Sequence, residues 1–285
     1  MERIVLGHSG AADTAHAIAW LSATYGAQVA TLTLDVGQGG NLEDVHERAL
    51  ASGAVRAHVI DVRDEFARDV VLPALRAHTP LDIRALTRAI VARHLVAMAR
   101  VEEAGVVAYG GRHGTGDHPM TTLLESLDPS IARIALPRAA GADASIEASL
   151  IGRSIELHDP AAAPHADDLF VRTKLPSEAP DVAAFVELMF EAGVPVAING
   201  VEMSPVELIQ SLETIAGAHG VGRLPAVASR NGARIVQEAP AAMALGAAYA
   251  ALGNRADGSV HLKFHQGDCT IVDQARRAPT TAVAR

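Results

Sequence analysis

The stretch Ile4-Val5-Leu6-Gly7-His8-Ser9-Gly10-Ala11-Ala12-Asp13-Thr14-Ala15 decides the fold. Ile4-Val5-Leu6 is a short apolar run with no alternation, the pattern of a strand buried on both faces in a parallel sheet. Gly7 and Ser9-Gly10 break it, and a helical pattern follows to about Leu21. A strand that feeds a small-residue turn and then opens a helix leaves backbone N–H groups without intrahelical partners at the carboxyl edge of the sheet. Such an edge suits a phosphate.

The remainder of the first half repeats that alternation. Val29 to Leu34 reads as a strand, the turn Gly37-Gln38-Gly39-Gly40 follows, and Asn41 caps a helix to about Ala51. His58 to Ile60 is a strand, followed by an amphipathic helix with Val62, Phe66 and Val70 on one face, kinked or ended near Pro73. Ile83 to Val101 is a longer helix, Val106 to Tyr109 a strand ending in Gly110-Gly111, and Ile134 to Leu136 a weaker strand. The expected fold is α/β, a doubly wound parallel sheet over residues 1–138, with a second, smaller α+β domain over 139–285. In that second part Ala139 to Ala144 and His158 to Pro164 have linker composition. Phe185 to Phe190 and Val194 to Ile198 read as strands, the second ending at the turn Asn199-Gly200. Ser204 and Pro205 start a helix, Ala241 to Leu252 form another, and Val260 to Phe264 with Thr270 to Val272 close a hairpin before a loose tail from about Ala275.

Composition narrows the function. The 285 residues are 49% hydrophobic, enough for a substantial core. A formal charge of −9 argues against a nucleic-acid partner, which favours a concentrated basic face. A single cysteine, Cys269, excludes an internal disulfide and fits a reducing cytoplasm. The sequence shows neither a signal-peptide pattern nor an apolar run of about 18 residues, so a cytoplasmic protein without a membrane partner is expected. Of the 24 basic residues only Lys174 and Lys263 are lysines.

The opening stretch also resembles the Ser-Gly-Gly-x-Asp-Thr-Ser pyrophosphate loop of the argininosuccinate synthetases. Ser9, Gly10, Asp13 and Thr14 match it, while Ala11 replaces the second Gly and Ala15 the final Ser. Thr33, Asp35, Gly37 and Gln38 match the family's second-strand motif, and Glu65, Phe66, Arg68 and Asp69 a later helix. The run from Ser145 to Glu156 resembles Ser-Ile-Asp-Ala-Asn-Leu-Trp-Gly-Arg-Ser-Ile-Glu. Gly193 to Gly200, Ser204 to Ile209 and His219 to Arg223 follow in family order. The chain is shorter than a family member, with losses near Arg138, between Arg230 and Glu238, and after Leu252. The last removes most of a segment that helps build the family's tetramer, so a homo-oligomer is not carried over directly.

The resemblance implies an adenine nucleotide α-hydrolase-like first domain and an AMP-forming C–N ligase. In the family reaction a ureido oxygen is activated on the α-phosphorus of ATP, with Mg²⁺ at the leaving pyrophosphate, and the amine of aspartate displaces AMP. Carried over residue by residue, Gly7, Ser9, Gly10, Asp13, Thr14, Thr33, Gln38 and Gly110 form the nucleotide site. Asp117 is the catalytic residue and amine anchor, and Ser145, Ser154 and Glu156 hold the second amino-acid-like substrate. The departures imply altered substrates, in a role such as specialised metabolism. The aspartate turn has become Arg112-His113-Gly114-Thr115-Gly116-Asp117-His118-Pro119-Met120. Met120 stands for a citrulline-binding Arg, Thr79-Pro80-Leu81-Asp82-Ile83 loses a tyrosine and a threonine, and Ala228 and Gln237 stand for Glu and Tyr anchors. The alternative is a catalytically inactive relative that binds a ligand or a protein, motivated by Ala11, Ala15, Gly116 and Met120. His113, Asp117 and His118 sit in a Gly-rich loop without a supporting pattern, and no metal site is assigned to them. His94 reads as a partly buried structural histidine and Cys269 as inert.

Overall fold

A computed structural model describes residues 2–10, 12–110, 119–136, 144–157, 169–228 and 234–275, without the side chains of 12–15, 144, 228 and 274–275. The chain divides into two compact units, Met1–Phe66 with Arg84–Ala142 and Ala67–Ile83 with Asp143–Arg285.

The first unit is built on five parallel strands: β1 (Arg3–Gly7), β2 (Gln28–Asp35), β3 (Arg56–Asp61), β4 (Val106–Gly110) and β5 (Ala132–Leu136). Their order is β3-β2-β1-β4-β5. Helices α1 (Ala12–Tyr25) and α2 (Leu42–Ala51) carry the chain from β1 to β3. The long α5 (Ile83–Val101) and α6 (Pro119–Leu127) follow on the way to β4 and β5. Ile4 and Leu6 of β1 pack with Ile18 and Leu21 of α1, Ala49 of α2 and Ala108 of β4. The alternate residue Gly7 turns the other way, where a Cβ would stand 3.6 Å from the Leu95 methyls of α5. Helices therefore lie on both faces, as right-handed crossovers in a doubly wound sheet require. The sheet order reverses between β1 and β4, so the crevice above Gly7 and Gly110 is the topological switch point.

Asn41 caps α2 as the sequence indicates, its side chain accepting from Glu43 N at 3.1 Å. The stretch after β3 differs from the reading. The helical path runs through Pro73 and ends at Arg76. A short α3 (Arg63–Glu65) runs into a π-helical segment, Phe66–Val71, and then α4 (Leu72–Arg76). The wider π turn places Pro73 in the first turn of α4, where its missing N–H costs nothing. It also shifts the buried stripe: Val62, Phe66, Ala67, Val71, Leu72 and Leu75 are buried, and Val70 is only half-buried.

At the amino edge of this sheet the buried carboxylate of Glu102 collects Arg3 Nη1 at 2.8 Å, Arg56 Nη1 at 3.3 Å and His58 Nε2 at 2.6 Å. Burial pushes this carboxyl up, but hydrogen bonds and charge from His58 and Arg56 outweigh it and hold the group below its ordinary range.

The second unit holds two antiparallel sheets. One has the order β10-β9-β8-β13-β14, from β8 (Ala184–Glu191), β9 (Val194–Ile198), β10 (Val201–Glu202), β13 (Gly258–His265) and β14 (Asp268–Ala275). Helices α7 (Pro205–Ala218) and α8 (Pro240–Leu252) belong with it. The expected turn at Asn199-Gly200 has positive φ at both residues, 49° and 78°, and joins β9 to β10. Ser204 and Glu207 form a reciprocal capping box at the start of α7. Tyr249 packs edge-on against Phe190 at 5.2 Å and donates to the Gly193 carbonyl at 3.1 Å; burial pushes its phenol up to about 12.

The other sheet has the order β11-β12-β7-β6, from β6 (Ala144–Ser149), β7 (Gly152–Leu157), β11 (Arg223–Ala228) and β12 (Arg234–Glu238). One face carries Ile155, Leu157 and Val236, packed with Leu169 and Phe170. At its end Glu238, 1% exposed, accepts from Val171 N at 3.2 Å, Arg172 N at 2.9 Å, Thr173 Oγ1 at 3.2 Å and Arg153 Nη1 at 3.4 Å. Both stretches read as linkers, and the tail beyond 275, lie outside the described residues apart from Ala144, which opens β6. No helix among the described residues is long and apolar enough to cross a membrane.

Candidate active site

Five of the expected nucleotide residues stand at the carboxyl edge of the parallel sheet. Gly7 ends β1, and Gly110 ends the adjacent β4 with no atom of the described residues within 4 Å of where a Cβ would lie. After β1 the chain is held to β2: His8 N donates to the Leu32 carbonyl at 2.9 Å, and Thr33 Oγ1 donates to the His8 carbonyl at 3.0 Å. Thr33 is buried, so its hydroxyl positions the turn from behind. Ser9 is exposed on that turn.

Gly10 has φ +84°, a conformation that favours glycine. A Cβ there would lie 2.6 Å from Val45 Cγ2 and 3.2 Å from Val45 Cγ1, so the position excludes a side chain on a second count. Val45 is buried on α2, and Arg48, one turn further along the same helix face, donates from Nη2 to the Gly10 carbonyl at 3.4 Å. The sequence reading missed both residues. Nothing in their immediate neighbours marks them, because the contact joins positions 38 residues apart.

Gln38 is used by its own loop. Its Oε1 accepts from Val36 N and its Nε2 donates to the Leu34 carbonyl, both at 2.7 Å. Asp35 accepts from Gly37 N at 2.9 Å, and Arg63 bridges Asp35 at 3.4 Å and Asp61 at 2.6 Å. The Arg63 guanidinium holds the Asp61 carboxyl below its usual range. The β2–α2 turn is therefore a braced wall beside the phosphate turn. Asp13 and Thr14 fall in the first turn of α1, where only the backbone is described. Asp117, with Arg112 to His118, lies outside the described residues, as do the two histidines of that loop.

The expected substrate residues gather on the second unit's β11-β12-β7-β6 sheet. Ser145 pairs with Glu156, Glu147 with Ser154, and Ser154 with Gln237, so all five side chains share the face opposite the apolar one. Ser154 and Glu156 are each 1% exposed, and Ser145 is exposed. Gln237 Nε2 reaches Ser154 Oγ at 3.5 Å, which brings the residue standing for a family tyrosine to the expected serine. Met120 is buried in the first turn of α6. His94 is partly buried and meets Glu65 Oε2 at 3.0 Å, as a structural histidine does.

Residues 3–147 match the model of the arginosuccinate synthase N-terminal HUP domain, and residues 144–256 that of the arginosuccinate synthase C-terminal domain. The chain belongs to the argininosuccinate synthase family. The argininosuccinate synthase of Streptococcus suis is 38% identical over 281 residues, covering 86% of this chain and 69% of that protein. That of Streptococcus agalactiae is 38% identical over 284 residues, covering 87% and 70%. Among solved structures, a predicted subunit of tRNA methyltransferase from Methanocaldococcus jannaschii matches with 16% identity and a TM-score of 0.35, over 50% of this chain and 70% of that one. In the family's terms, the parallel sheet with its β1–α1 turn is the HUP domain. The serine-bearing hairpin β6–β7 opens the region matched to the C-terminal domain.

Proposed function

We propose that this member of the argininosuccinate synthase family is an ATP-dependent, AMP-forming C–N ligase whose substrates differ from citrulline and aspartate. One observation carries the nucleotide part: the β1–α1 turn keeps Gly10, at positive φ, at the switch point of the sheet, backed by Val45 and tied to β2 through Thr33. The geometry suits an anion, because it aims a glycine turn and the start of a 14-residue helix at the crevice.

ATP fits the residues present. Gly7, Ser9, Gly10, Asp13 and Thr14 would hold its phosphate chain and Gly110 would leave room beside them, while Thr33 and Gln38 serve as positioning residues. Among the described residues no group of three His, Cys, Asp or Glu side chains could hold a metal ion. Mg²⁺ belongs in this account with the nucleotide, bound mainly by phosphates and water. Bound Mg²⁺·ATP supplies an electrophilic phosphorus and a pyrophosphate leaving group.

The chain's own side chains select and orient the reactants. Ser145, Ser154 and Glu156, with Gln237 beside Ser154, offer hydroxyl, amide and carboxylate groups to a ureido or carboxyl substrate. Asp117 anchors the incoming amine. Met120 supplies no guanidinium for a substrate carboxylate, and Gln237 supplies an amide where the family has a phenol. These two changes support altered substrates.

The test is stoichiometric release of AMP and pyrophosphate from Mg²⁺·ATP across a panel of amino, ureido and carboxylic acids. The proposal expects at least one amine–acceptor pair to stimulate release above the citrulline–aspartate pair. If no pair stimulates it, the ligase reading fails and the inactive alternative takes its place.

A further inference from the structure

Both lysines, Lys174 and Lys263, belong to the second unit. Among the first unit's arginines, Arg3 and Arg56 meet Glu102, Arg63 meets Asp61, Arg93 meets Glu65 and Arg100 meets Asp128. Arg48 is different. It is exposed, and among the described residues its guanidinium makes no ion pair; its one side-chain hydrogen bond goes to the neutral Gly10 carbonyl.

That contact uses one of five N–H donors, and no described carboxylate is paired with the charge. It also holds the charge against the turn that opens α1, the end of a helix where backbone dipoles already favour an anion and disfavour a cation. A guanidinium parked there gains most when an anion stands between it and the helix start. Val45 sets its position, since the same helix face that packs against Gly10 carries Arg48 one turn later.

We propose that Arg48 binds the phosphate chain of the nucleotide beyond the α-phosphate, supplying the positive charge that the leaving pyrophosphate needs. The inference rests on the nucleotide reading of the β1–α1 turn and deepens it. Arg48 is assigned here as a binding residue brought from α2, 38 positions away from the loop it completes. Ala15 takes a hydroxyl donor out of the loop itself, and a guanidinium from outside it supplies hydrogen bonds and charge at the leaving group.

Calorimetric titration of Mg²⁺·ATP, inorganic pyrophosphate and AMP into the wild type, Arg48→Ala and Arg48→Lys tests this. The expected result is a loss of about tenfold or more for ATP and pyrophosphate in Arg48→Ala, with AMP affinity within about twofold of wild type. Arg48→Lys should recover part of the loss, because it keeps the charge without the planar fork. Equal losses for ATP and AMP would mean a distorted turn and overturn the assignment, as would an Arg48→Ala protein that binds ATP as the wild type does. A wild type that binds none of the three ligands overturns the nucleotide reading itself, and the Arg48 assignment with it.

Discussion

At the scale of single residues, Gly10 and Cys269 show how position decides chemistry. Gly10 answers a positive φ and a valine methyl group at once, and Ala at this position would meet both penalties. Cys269 is half-buried in β14, and burial pushes its thiol up to about 11. The thiolate is the reactive form, so the native cysteine should react with iodoacetamide at pH 8 roughly a hundredfold more slowly than in the urea-unfolded chain. Equal rates in the two states would show that the thiol is not held in this environment.

At the scale of elements, the parallel sheet is fastened at one edge and leaves the other for function. Glu102, just past α5, ties the first residue of β1 to the start of β3 through Arg3 and Arg56, with His58 as a third partner. The folded carboxyl sits below the ordinary glutamate value of 4.5. The network's contribution is therefore present in full above the unfolded value and is lost as pH falls through the folded one. Glu102→Gln should cost about 1–3 kcal/mol at pH 7, and thermal unfolding of the two proteins should converge as the pH is lowered towards 3. A gap that stays constant or widens in acid would contradict the assignment. The π-helical segment Phe66–Val71 is a second element-scale device, since it admits Pro73 without ending the helical path.

At the scale of the whole molecule, the parallel sheet was legible because fully buried strands alternate with helical periods and small-residue turns. Gly7, Ser9, Gly10 and Gly110 could be placed at its carboxyl edge from that pattern alone. The second unit's polar sheet was not legible by pattern. The alternation Ser145, Glu147, Ser154, Glu156 puts polar side chains on a face that runs from exposed at Ser145 to buried at Ser154 and Glu156, which no hydrophobic period announces. Only the family resemblance pointed to those serines. Strands β11 and β12 were missed for a related reason, as the half-buried Arg223, the exposed Arg234 and the buried Glu238 interrupt their apolar pattern with charges. Arg48 was out of reach because its partner is distant in sequence. Gln38 and Thr33 were identified by motif, but their hydrogen bonds make them braces of the site.

The central claim is that the β1–α1 turn still binds a nucleotide, and a titration of Mg²⁺·ATP into the wild type and Gly10→Ala tests it most directly. The account predicts saturable, one-site binding in the wild type and a marked loss in a Gly10→Ala protein whose circular dichroism shows it folded. No heat of binding in the wild type at millimolar nucleotide would contradict it, and would leave a family fold that has given up its phosphate site.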